Sequence, residues 1–104
     1  MSVRAYRMEH KTVKGRTWSS HAQSETFNCW HDTDLNDFFR DHEDTSDQTN
    51  MDGCGTICVS LKAIAQAIKK QKKLKYSDSV LQSLKKDLEI ATKEDEEFID
   101  YDCF

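Results

Sequence analysis

Apolar residues recur at two different spacings along this chain, and the changes between them mark out the elements. Val3, Tyr6 and Met8 lie among basic residues in Ser2 to Val13 without helical periodicity, which suits a strand. Thr26-Phe27-Asn28-Cys29-Trp30-His31 is dense in strand formers and predicts a second. Helix-start chemistry follows at once. Thr33 can cap, Asp34 and Asp37 complement a helix N-terminus, and Leu35, Phe38, Phe39 and His42 share one face. Thr56 to Val59 reads as a short strand, with Ser60 placed to cap the next helix. There Leu61, Ile64, Ala65 and Ile68 form a stripe at the i, i+3, i+4, i+7 spacing. Continuing it would bring Lys72 and Lys75 onto the stripe, so the helix is expected to stop near Gln71 to Lys73. Ser77 caps a further helix whose face holds Val80, Leu81, Leu84, Leu88 and Ala91, and whose end falls near Glu94 because Asp95 would spoil the face. From Phe98 to Phe104 the chain alternates, Ile99, Tyr101 and Cys103 against Asp100 and Asp102, as a half-buried strand does.

Between these elements, Lys14 to Glu25 is polar and contains Gly15, which predicts a hairpin connection or a mobile loop. Glu43 to Cys54 reads as an acidic loop rich in turn formers. The resulting order, ββαβααβ, predicts a single α+β domain over residues 1–104, a mostly antiparallel sheet with helices on one face. A chain of 104 residues can bury one modest core. With 37% hydrophobic and 33% charged residues it should fold as a polar globule. No apolar run is long enough to span a membrane, and Met1 to Arg16 lacks the apolar stretch of a signal peptide. A cytoplasmic protein with reduced thiols is the expectation.

Charge adds a second layer of organisation. Six lysines fall between Lys62 and Lys75 although the net charge is -4. Eight carboxylates lie between Asp32 and Asp52, and eight more between Asp87 and Asp102. At about 100° per residue, Lys62, Lys69 and Lys73 align on one helix flank with Lys70 beside them. Asp34, Asp37 and Asp41 align on a flank of the middle helix, where like charges at i, i+3 and i+4 cost a few tenths of a kcal/mol per pair, roughly. Helix stability alone does not ask for that arrangement beyond the first turn. Both ridges suit a protein partner, although a solvated surface explains charge runs as well. They also permit a homo-oligomer in which one ridge meets the other. Nucleic acid is disfavoured by the acidic runs, an isoelectric point near 5.5, and the lack of aromatics interleaved with the lysines. Trp18, in the polar connection, is a candidate interface anchor, or else a lid folded over the sheet.

Cys29, His31, Cys54 and Cys58 carry the donor types zinc prefers, yet Cys-x-His and Cys-x-x-x-Cys are not the usual gripping spacings. Cys29 or Cys58 could act as a nucleophile with His31 or His42 as base, but no orienting third group is marked. His42 is read instead as a core-edge histidine. Asp47 to Asp52 lacks the ligand pattern of an EF-hand, and Gly53 and Gly55 lack the residues that complete a phosphate loop. Neither a cofactor nor a metal is expected.

Four stretches, Ser2-Val3-Arg4-Ala5-Tyr6-Arg7, Thr26 to Asp32, Gly55-Thr56-Ile57 and Tyr101-Asp102-Cys103-Phe104, resemble small uncharacterised proteins of bacteria and their phages. The resemblance implies an accessory protein and carries no site residue with it. The expected function is therefore a non-enzymatic interaction protein, of the phage-encoded kind the resemblance implies, that inhibits or redirects a host protein through its charged ridges. The alternative is a protein that sequesters a small, nucleotide-like molecule or a metal.

Overall fold

The computed structural model describes residues 2–104, and its elements follow an α+β plan. Strand β1 (Arg4–Val13) turns back into β2 (Arg16–His21), and a two-residue strand β3 (Phe27–Asn28) leads to helix α1 (Thr33–Asp41). Strands β4 (Ser46–Thr49) and β5 (Gly55–Ser60) follow. Helices α2 (Leu61–Lys69), α3 (Gln71–Leu74) and α4 (Asp78–Lys93) come next, and β6 (Phe98–Cys103) ends the chain. The sheet order is β2-β1-β6-β5-β4, with β3 also paired to β1, and every pairing is antiparallel.

The stretch read as a hairpin connection or a mobile loop and the one read as an acidic loop each contain a strand. Lys14 and Gly15, with φ of 52° and 78°, form a tight turn of the kind that matches strand twist, so Arg16 onward pairs back onto β1. Ser46–Thr49 pairs with β5 although none of its residues is apolar, because an edge strand needs only backbone partners. The cap of α1 also differs from expectation. Thr33 is its first residue rather than its cap, and the side chain of Asp32 accepts instead from the backbone N–H of Asn28 at 2.9 Å. Ser60 and Ser77 do cap α2 and α4, accepting from Ala63 N–H at 3.1 Å and Val80 N–H at 3.3 Å.

Helix α2 stops earlier than its apolar stripe suggests. The Ala67 carbonyl accepts from Lys70 N–H at 3.1 Å and from the buried Tyr76 hydroxyl at 2.7 Å, so the regular bond from Gln71 is replaced. One further turn, α3, carries Leu74 inward and ends at Lys75 with φ of 59°. The break keeps Lys72 and Lys75 exposed while the chain still buries Leu74 and Tyr76.

The core lies between one sheet face and the helices. Ala5, Ile57, Val59, Ile99, Tyr101 and Cys103 meet Leu35, Phe39, Ile64, Ala67 and Leu84 there. The alternation expected of β6 is present, with Ile99, Tyr101 and Cys103 buried. In β1 the inward positions are Ala5 and Arg7, continuing the buried Val3 just before the strand, whereas Tyr6 and Met8 face away. An arginine therefore enters the core side of the sheet. Its partner, Asp87 of α4, lies three residues after Leu84 and four before Ala91, on the buried face of that helix.

Candidate functional site

The hairpin β1–β2 runs past the body of the sheet. Beyond Arg7, β1 pairs only with β2, and every residue of β2 is exposed. Cross-strand pairs divide its two faces. On one, His10 Nδ1 and Ser19 Oγ lie 2.8 Å apart, and the hydroxyls of Thr12 and Thr17 lie 3.4 Å apart. On the other, Lys11 sits opposite Trp18 and Val13 opposite Arg16. Trp18 is 63% exposed and Val13 56%, so neither is folded back as a lid. Lys11, Lys14 and Arg16 make no ion pair among the described residues, and Glu9, the sole carboxylate of the hairpin, is engaged by Arg7 Nη2 at 2.8 Å. Such a ribbon gains little from burial, since a hairpin outside a core is marginal in water. A net-positive arm carrying an exposed tryptophan results.

Asp34, Asp37 and Asp41 are all exposed on α1 and unpaired among the described residues. Lys62, Lys69 and Lys73 are exposed too, but the break at Lys70 puts Lys73 on α3, so the lysine ridge is not one continuous helix flank. Lys70 is drawn away from it, its ammonium 5.2 Å from the centroid of the Phe38 ring on α1. Acidic and basic ridges therefore occupy neighbouring helices without forming ion pairs across them.

The cysteine and histidine candidates do not assemble. Cys29 is buried after β3, His31 is exposed in the following turn, and Cys58 points to the open face of β5 beside Asp100. No group of three His, Cys, Asp or Glu residues among those described could hold a metal ion. Neither Cys29 nor Cys58 is hydrogen-bonded to His31 or His42 among the described residues; His42 Nε2 instead lies 3.0 Å from Gln66 Oε1. Trp30, in the turn before α1, is 52% exposed.

Two polar clusters escaped the sequence reading. In the first, Asp87 Oδ2 accepts from Thr26 Oγ1 at 2.5 Å and from the Tyr101 hydroxyl at 2.9 Å, while Arg7 Nε lies 3.3 Å from Oδ1. Burial raises the Asp87 carboxyl above its ordinary value, opposed by those two hydroxyls and by Arg7. Burial likewise raises Tyr101 well above its usual range. A cavity of about 420 Å³ opens beside this cluster, with Glu9, His21, Ser83 and Lys86 on its walls.

Arg40 organises the second cluster. Its Nε donates to Asn36 Oδ1 at 2.8 Å, Nη1 to Thr49 Oγ1 at 2.5 Å, and Nη2 to the Gly53 carbonyl at 3.3 Å and to Cys29 Sγ at 3.8 Å. An ion pair to Asp47 at 3.3 Å completes the shell. Arg40 was visible in sequence as the sole base within the acidic run. Its inward role was hidden because its partners come from a helix, a strand and two turns.

Comparison with protein-family models, with curated proteins and with solved structures found no match. Among the described residues, no helix is long and apolar enough to cross a membrane.

Proposed function

We propose that this chain is a non-enzymatic interaction protein that grips a protein partner with its β1–β2 arm. The observation carrying this reading is Trp18, 63% exposed on a projecting ribbon and set opposite Lys11. A tryptophan can bury a large apolar area with little loss of rotamer freedom, and flanking cations orient the approach of an acidic surface. The unpaired acids of α1 offer a second, oppositely charged contact to the same partner or to another copy of this chain. A host protein inhibited or redirected by the contact fits the accessory character that the sequence resemblance implies.

Affinity capture from a bacterial lysate tests this directly. Trp18→Ala and the triple charge reversal of Lys11, Lys14 and Arg16 to Glu should each release the partner, whereas reversal of the exposed Lys72, Lys75 and Lys85, outside the arm and both ridges, serves as a charge-matched control. Equal retention by all variants rejects the arm. Capture of nucleic acid rather than protein, lost with the same arm variants, rejects the partner class. Sedimentation at low and high salt addresses self-association, since ridge-to-ridge pairing should weaken as salt screens it.

A second reading rests on the cavity of about 420 Å³ beside Arg7 and Lys86. Its wall also carries Glu9, Glu25 and Asp87, so it suits a small polar molecule rather than a simple anion, and a ligand-sized mass excess in native mass spectrometry would favour that alternative.

A further inference from the structure

We propose that the apolar cavity at the start of β1, the end remote from the turn of the arm, binds a small aromatic amine, its ring held among Tyr6, Trp30 and Phe104 and its ammonium by Asp52. The proposal is independent of the arm and of its partner.

Four parts of the chain enclose this cavity of about 570 Å³. Val3, Arg4 and Tyr6 come from the start of β1, Phe104 follows β6, Trp30 lies in the turn after β3, and Asp52 lies in the turn before β5. Each part is fixed by its own hydrogen bonds. Arg4 and Phe104 exchange both backbone bonds, at 2.9 and 3.1 Å, which sets Phe104 beside Tyr6. The two rings stack with centroids 4.9 Å apart and planes 19° apart, and His21 of β2 packs against both, at 5.1 and 5.3 Å. Trp30 N–H donates to Asn28 Oδ1 at 3.0 Å, and Asp52 N–H donates to Asn50 Oδ1 at 2.9 Å.

The lining selects the ligand. Three rings and the aliphatic Val3 favour a body that is flat and apolar, since rings pack on one another by offset or edge contact. Trp30 and Phe104 are each 52% exposed, so a ligand removes apolar surface from water that the fold leaves open. Charge decides the rest. Arg4 and Asp52 are the charged groups on the wall, and the Arg4 guanidinium is drawn to Glu25, with Nε 3.6 Å from Oε1. The Asp52 carboxylate makes no ion pair or hydrogen bond among the described residues. Asp102, directly opposite Tyr6 on β6, adds a second carboxylate to the same sheet face. The potential beside the rings therefore favours a cation.

An ammonium at Asp52 forms a charge-assisted hydrogen bond at an exposed position, which adds a few-fold in affinity, and burial of the ring supplies most of the remainder. A carboxylate in its place would face Asp52 and Asp102, with only the already paired Arg4 to receive it. The cavity beside Arg7 differs in kind, for His21 is the only ring on its wall and both signs of charge surround it.

The test is an NMR titration of the full, isotopically labelled chain with phenethylamine, which reads both tryptophan indoles at once. Trp30, Tyr6, Asp52 and Phe104 should shift together with a Kd on the order of 0.1–1 mM, as so small a ligand permits, while the Trp18 indole stays in place. Phenylpropionate, with the same ring and the opposite charge, should bind at least roughly threefold more weakly. Asp52→Asn should reduce the affinity for phenethylamine to about that for neutral phenethyl alcohol, and Trp30→Ala should weaken it about tenfold. Absence of shifts at Trp30 up to about 10 mM amine overturns the proposal, as do shifts centred on Trp18 or a carboxylate bound as tightly as the amine. Movement of the same signals on dilution without ligand also overturns it, since a second copy of the chain would then fill the cavity. The ligands are compared on the unaltered chain, so that comparison stands even where a variant fails to fold.

Discussion

Replacing Tyr101 by Phe removes one oxygen from the most buried polar cluster in the molecule and leaves the ring in place. That ring is fully buried and meets Phe27 edge-on, with centroids 5.6 Å apart, so the apolar packing survives. What is lost is the 2.9 Å donor to Asp87 Oδ2. Asp87 is itself 5% exposed, and water cannot replace that donor without entering the core. A hydrogen bond to a charged group is worth about 1.5–3 kcal/mol, so at neutral pH the cost should be about 2 kcal/mol. For a domain of this size that lowers the melting midpoint by roughly 8–16 °C. Urea unfolding followed by far-ultraviolet circular dichroism measures it as a lower midpoint at unchanged slope. pH supplies a second arm. The folded pKa of Asp87 lies above its ordinary value of 3.8. The neutral carboxyl therefore favours the fold below the unfolded pKa, and that contribution is lost as pH rises through the folded one. With Asp87 protonated, the Tyr101 bond joins neutral groups and is worth about 0.5–1.5 kcal/mol. The cost of Tyr101→Phe should accordingly shrink between pH 7 and the acid end of that window. A cost under about 0.5 kcal/mol at pH 7, or one that grows on acidification, refutes the reasoning.

Other substitutions separate structure from surface. Gly55→Ala should destabilise by about 1–3 kcal/mol, because φ is +136° and the added Cβ would stand 2.7 Å from the Gln48 carbonyl oxygen; an unchanged denaturation midpoint would count against the β4–β5 geometry. Ser60→Ala removes the cap that accepts from Ala63 and should cost about 1 kcal/mol by the same assay. Asp87→Ala leaves Arg7 buried beside no carboxylate except Glu9, and a loss of about 3–5 kcal/mol is expected. Trp18→Ala should change stability by less than about 0.5 kcal/mol while weakening partner capture, since an exposed side chain on the arm supports no core.

Helix faces were legible because their periodicity is local. Ser60, Ser77 and the stripe from Leu61 to Ile68 marked α2 and the start of α4, and the alternation of Ile99, Tyr101 and Cys103 marked β6. Strand β4 was not legible, since Ser46 to Thr49 has no apolar residue and owes its conformation to β5. Nor was the end of α2, which depends on a hydroxyl nine residues on, at Tyr76.

The candidate sites divide in the same way. Exposed features such as Asp34, Asp37, Asp41 and Trp18 could be named from the sequence, because turn chemistry, helix phase and polar surroundings are properties of short segments. The sequence also supplied the four cysteines and the lone Arg40 of the acidic run. Only the tertiary structure decided which of these meet. It carried Arg7 to Asp87 across eighty residues of chain by pairing a strand with a helix face, and it set Cys29 beside Arg40. Sequence spacing bears on neighbours a few residues apart, whereas these groups are joined by sheet register and by the packing of helices on one face.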